Sequence, residues 1–258
     1  MSDARGITRT LSLRSWDLLL LWASLIVIVG LAWSYLILLA HNMSVNTMSG
    51  MRNWTLEDYF MMFIMWAVMM IGMMVPTSIR AVKIYSRIAK KTTNSSNGVA
   101  ATYWFILGYI IIWTGFSILA AALQGVLSNL GMLSPMMLSS SSYLGASLLI
   151  AAGLYQLTPW KDACLTHCQS PAMYLAGRFG PRVIDGIKLG VQHGAYCLGC
   201  CWLIMSLLFV GGVMNLLWIA AITGLVLFEK LLPPKIKLTR ISAVLMIGAG
   251  TMYFVIGL

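Results

Sequence analysis

The chain is organised as long apolar runs separated by short polar segments. A helix crossing the hydrocarbon core of a bilayer needs about 20 predominantly apolar residues. Seven runs approach or exceed that length, at 17–40, 58–79, 101–127, 143–159, 184–210, 213–231 and 237–257. This pattern predicts an all-α, polytopic membrane bundle of about seven transmembrane helices, with a tail at 1–16 and one transmembrane domain over 17–258. The fourth run is short, and the fifth and sixth are separated by a turn resting on Gly211 and Gly212. The first run follows Arg5, Arg9 and Arg14, as the core of a signal peptide would. It is too long for one and lacks a small-residue cleavage site, so it reads as a retained anchor. The second opens on Thr55-Leu56-Glu57-Asp58, a capping-box pattern, and Pro76 is expected to bend or end it.

Charge then orients the spans. Sixteen of the 17 lysines and arginines fall in segments on one side, leaving Arg52 on the other. Basic residues accumulate on the cytoplasmic side of membrane proteins. The N-terminus is therefore expected in the cytoplasm and the C-terminus outside, with the chain in the inner (plasma) membrane. Composition excludes the alternatives. Of 258 residues 60% are hydrophobic and 9% charged, with a mean hydropathy of +0.86, whereas a soluble domain carries about 25% charged residues. Disorder is ruled out by the same figures. The net charge of +10 reads as orientation rather than as affinity for nucleic acid.

Two residue types stand out against this background. There are 19 methionines, and seven of the fourteen residues from Met61 to Met74 are Met. At 100° per residue, Met61, Met62, Met65, Met69 and Met73 fall within a sector of about 120°, a row of thioethers across much of the span. Thioether sulfur is a soft, neutral ligand that suits Cu(I) and not Mg, Ca or Zn; methionine is also a common filler of irregular gaps. The outward loops add His41, Met43, Met48 and Met51, then Met132, Met136 and Met137.

The five cysteines form two clusters. His193, Cys197, Cys200 and Cys201 share a sector of about 100° on the fifth span, near mid-membrane, with Met205 close by. A histidine inside a span points to function, because burying it without a partner is costly. Gly190, Gly194 and Gly199 would admit a neighbouring helix, for which the thioether helix is the attractive choice. Cys164, His167 and Cys168 lie just past the fourth span on the cytoplasmic side, too few for a closed zinc site, which takes four ligands. In a reducing compartment a two- or three-coordinate Cu(I) site fits them, and a transient redox pair is the alternative. By depth, the ligands run from Met and His outside to Cys and His inside.

The motifs Tyr155-Gln-Leu-Thr-Pro159-Trp-Lys161-Asp-Ala-Cys164-Leu-Thr-His167-Cys168-Gln-Ser-Pro171 and Gly190-Val-Gln-His193-Gly-Ala-Tyr-Cys197-Leu-Gly-Cys200-Cys201-Trp202, with Met205, Gly212, Met214 and Glu229-Lys230 beyond, resemble a bacterial family of predicted metal-binding integral membrane proteins. That family includes a membrane copper chaperone associated with a tyrosinase, and the resemblance covers roughly residues 55–235. It implies copper handling, with delivery to a copper enzyme, and carries over to Cys164, Cys168, His193, Cys197, Cys200 and Cys201. Asp162 departs from the basic or small residue expected after Lys161.

Two other classes compete. A membrane thiol oxidoreductase would want a reactive Cys pair at its substrate's face, and the outer face has none. A non-catalytic assembly subunit would use Met and Gly for helix packing alone. The chain carries no G-x-x-x-x-G-K-[ST] loop, which argues against ATP-driven pumping. Asp162, Asp185 and Glu229 are too few for a transmembrane proton relay, and haem would need a second histidine at the depth of His193. The reading is a non-enzymatic copper-handling protein.

Overall fold

Eleven helices account for most of the described residues, which in this computed structural model are 3–45, 55–92, 95–133, 142–180, 182–232 and 238–256. They are α1 (Asp3–Val45), α2 (Leu56–Thr77), α3 (Ile79–Thr92), α4 (Ser95–Asn129), α5 (Ser142–Gln156), α6 (Pro159–Gln169), α7 (Ala172–Ala176), α8 (Val183–Ser206), α9 (Leu208–Gly211), α10 (Leu216–Leu231) and α11 (Leu238–Ile256). The all-helical expectation holds. Among the described residues five stretches are long and apolar enough to cross a bilayer: Leu19–Asn42, Leu56–Thr77, Gly98–Asn129, Val183–Gly211 and Leu238–Ile256. The fourth and sixth apolar runs become α5 and α10, helices of 15 and 16 residues, shorter than a full crossing. Large side chains facing outward, such as Ile26 (71% exposed) and Leu119 (70%), make the surface compatible with lipid rather than water.

Local chemistry explains the helix ends. The Thr55 side chain accepts from the Asp58 backbone and the Asp58 carboxylate accepts from the Thr55 backbone, so α2 starts on the expected capping box. Pro76 lacks the N–H that would bond the Gly72 carbonyl. Trp33 of α1 takes that carbonyl through its indole Nε1, at 3.3 Å. The helix nevertheless reaches Thr77 before the chain turns at Ser78 into α3. Thr158 caps α6, with Pro159 in the first turn, where a missing N–H costs nothing. The turn between α9 and α10 rests on Gly212, whose φ of +90° disfavours any side chain.

Close helix approach sets the architecture. Gly108 of α4 and Gly190 of α8 meet backbone to backbone, where a Cβ on either would collide with the other helix. Gly153 of α5 and Gly250 of α11 play the same part in a second pair, which unlike α4 and α8 runs antiparallel, against Ala243 and Ala146 backbone respectively. Such small residues are how apolar helices come close enough for dense packing. The glycine face of α8 therefore receives α4, and Gly199 receives Cys164 of α6. The thioether helix α2, expected there, packs mainly on α4 and α1 instead.

A polar network ties the ends of these helices together. Lys161 of α6 donates to Glu229 of α10 at 2.7 Å, with both side chains buried. Gln156 of α5 donates to Glu229 and to Ser242 of α11, each at 2.7 Å. Arg80 of α3 and Gln169 of α6 donate to the last carbonyls of α10, covering acceptors that the helix itself leaves open. Removing one partner of a buried pair strands a charge, at a cost of about 3–5 kcal/mol. Lys161→Met is thus expected to lower the thermal midpoint of the detergent-solubilised protein sharply. Adding Glu229→Gln should recover much of the loss, and differential scanning fluorimetry checks both.

Candidate metal centre

One buried core collects four of the five cysteines and six methionines. Met65, Met69, Met70, Met73 and Met74 of α2, Cys168 of α6, and Cys197, Cys200, Cys201 and Met205 of α8 belong to the same cluster. The arrangement follows from three local facts. Methionine is a good helix former, so a span with seven methionines among 22 residues still folds as α2. The glycines of α8 let α4 approach until the Tyr109 hydroxyl lies 3.0 Å from the Cys197 thiol and 2.9 Å from the Met74 carbonyl. The short α6 lies across α8 and brings its own cysteines to the same place.

At the centre the sulfur atoms are mutually engaged. The Cys200 and Cys201 thiols donate to the Cys197 carbonyl, each at 3.0 Å, as i+3 and i+4 spacing allows. Cys168 is buried in the same core as Cys197 and Cys200. Lys230 of α10 enters this group from the side. Its ammonium donates to the Cys197 sulfur at 2.8 Å and to the Thr77 hydroxyl of α2 at 3.0 Å. Lys230 is 3% exposed. Among the described residues the one buried carboxylate, Glu229, is already held by Lys161, so Lys230 meets sulfur and a hydroxyl rather than a carboxylate.

His193 sits one turn before Cys197, 3% exposed. Its ring lies between Phe105 and Tyr109, with centroids 5.8 Å from each. Its Nδ1 is buried with no hydrogen-bond partner among the described residues. An orphaned ring nitrogen beside thiols is a donor set that soft or borderline metals accept. Cys164 stands at the edge, half-buried, its sulfur against Gly199. Burial, with a smaller contribution from Cys200, pushes its thiol above the ordinary cysteine value. Among the described residues no three His, Cys, Asp or Glu side chains stand in a geometry that would hold one ion together.

Of the first cysteine cluster, Cys168 is buried in the same core as the α8 thiols. His167 turns away from them: it stacks on Tyr196 at 4.2 Å with the rings nearly parallel, and its Nδ1 pairs with the Ala163 carbonyl at 2.9 Å. Along the methionine row Met65, Met69 and Met73 are buried in the same core as the thiols, whereas Met61 is 55% exposed. His41 and Met132 lie on the surface, and Met43, Met48, Met51, Met136 and Met137 lie outside the described side chains. Sequence reasoning missed Lys230, Thr77 and Tyr109 as parts of the centre. The Glu229-Lys230 doublet closing an apolar run was a signal, since buried charge in a span seldom lacks a role. Tyr109 carried none.

A family model described as PpoB2, copper chaperone, matches residues 63–253 of the chain. No curated protein and no solved structure matches it.

The geometry also sorts the cysteines by access. A bulky maleimide added to the metal-free, reduced protein in detergent is expected to modify Cys164 first, because Cys168, Cys197, Cys200 and Cys201 are buried. Peptide mass mapping over a time course checks the order. Equal rates at all five positions would contradict it.

Proposed function

The chain belongs to the PpoB2 copper chaperone family, and from that premise we propose that it holds copper as Cu(I) on sulfur ligands inside the membrane and hands it to a copper enzyme. The observation that carries the reading is the convergence of Cys168, Cys197, Cys200 and Cys201 with the thioethers of Met65, Met69 and Met73 in one buried core. Thiolate and thioether ligands select Cu(I) over harder cations, and a site sealed from water protects the reduced ion.

In this reading Cys197 and Cys200 are the holding ligands. Cys168 and Cys201 stand ready to exchange with them, and His193 offers a neutral nitrogen one turn away. The neutral methionines of α2 supply weaker ligands, so an ion passing along them forms and breaks single bonds without a charged intermediate. Cys164 lies at the rim, where an ion would enter or leave. His167, stacked on Tyr196, contributes to α6 packing and not to the ion.

The seven-span arrangement belongs to the same proposal. α5 and α10 add two short, incomplete-length spans to the five long ones, residues 1–16 form a cytoplasmic tail and 17–258 one domain, and the C-terminus lies outside. The skewed distribution of Lys and Arg supports this orientation, with the inner membrane as the location. The recipient is a copper enzyme, and the chain itself performs no chemistry on a substrate other than ligand exchange.

Metal content of the purified, reduced protein tests the reading. The wild type should carry at least one Cu(I) per chain, and Cys197→Ser/Cys200→Ser/Cys201→Ser should lose it. His167→Ala should keep it. Replacing Met65, Met69 and Met73 together by Leu should preserve bound copper but slow its release to a chelator several-fold. Absence of copper from the wild type after loading, or its retention by the triple Ser variant, would overturn the proposal.

A further inference from the structure

Lys230 is the unusual member of the thiol centre. A lysine ammonium is strongly hydrated, and placing one in an apolar core is costly unless an opposite charge meets it. Lys161 already neutralises Glu229, at 2.7 Å. Lys230 instead points at Cys197, 2.8 Å away, and is steadied by Thr77 at 3.0 Å. A cation so placed favours an anionic sulfur centre and disfavours a cationic or neutral one.

We infer that Lys230 is a specificity-determining residue, which makes a Cys197/Cys200 site accept a monovalent soft cation and reject a divalent one by charge balance. The inference rests on the copper reading above and adds how the ion is chosen. The balance is simple. Two thiols and one Cu(I) give a bis-thiolate complex of net charge minus one and release two protons. The Lys230 ammonium brings the buried centre to zero. A divalent soft ion such as Hg(II) forms a neutral bis-thiolate complex, and the ammonium is then left buried without a counter-charge. Softness alone does not separate these ions, since both accept two thiolates; the lysine does.

The test compares Ag(I), a redox-inert monovalent probe, with Hg(II) on the full chain in detergent, each titrated against a competing thiol of known affinity. The wild type should prefer Ag(I) relative to Hg(II), measured against the same competitor. Lys230→Gln should lower the Ag(I)-to-Hg(II) affinity ratio at least about tenfold. Lys230→Arg, which keeps the charge, should hold the ratio near that of the wild type. Thr77→Asp places a carboxylate against the Lys230 ammonium and cancels it without removing the lysine, so it should lower the ratio as Lys230→Gln does. It decides the matter if Lys230→Gln fails to fold. A ratio unchanged in both charge-cancelling variants, or equal loss of both ions, would overturn the inference and leave Lys230 a structural residue. A wild type that binds neither probe would overturn the copper reading and this inference together. Ag(I) binding that survives Cys197→Ser/Cys200→Ser would overturn the inference alone.

Discussion

Glu229 and Lys230 stand side by side at the C-terminal end of α10, a helix otherwise apolar, and both are buried. In a medium that cannot solvate charge, each must find a partner on another helix. Because the two residues are adjacent, their side chains leave α10 in different directions. Glu229 draws in Lys161 of α6, Gln156 of α5 and Ser242 of α11, while Lys230 draws in Thr77 of α2 and Cys197 of α8. Arg80 of α3 then closes on the carbonyls at the same end. Elements from most of the chain are fixed around one charged dipeptide, and their relative depth is set by it.

The thiol centre lies on the Lys230 side of that junction, and its composition follows from the same constraint. Apolar packing by itself specifies direction poorly, since many Leu and Ile arrangements have similar energies. Hydrogen bonds that Lys230 and Tyr109 make with the Cys197 sulfur fix its position, so the centre has a defined arrangement within an otherwise greasy bundle. The glycines of α8 act earlier in the chain of causes. Without the close crossing of α4 and α8 at Gly108 and Gly190, Tyr109 would stand too far out to reach Cys197.

Methionine suits the neighbouring helix on two counts. Its unbranched side chain is compatible with a helix and conforms to irregular surroundings, and its sulfur adds ligand capacity without adding charge. Burial of Met65, Met69 and Met73 and exposure of Met61 divide the row into a part in the same core as the thiols and a part at the surface. A row of identical residues thus performs different work along its length. That division depends on which helices α2 packs against.

The sequence by itself determined the helical class, five of the seven apolar spans it suggested, the capping box at Thr55, the stop near Pro76 and the glycine turn at Gly212. Each depends on residues close together in the chain, where period, side-chain chemistry and allowed φ angles act locally. It also marked the cysteines, His193 and the methionines, because soft ligands at helical spacing are visible without a fold. Tertiary structure decided which of them meet. Cys168 joins the α8 thiols and His167 leaves them, although they are neighbours in α6, because a helix turns adjacent residues about 100° apart and the packing of α6 on α8 selects one face. Lys230 reaches Cys197 across 33 positions of sequence. No local pattern encodes that contact; it exists because a buried charge must be neutralised wherever the bundle brings a partner within reach.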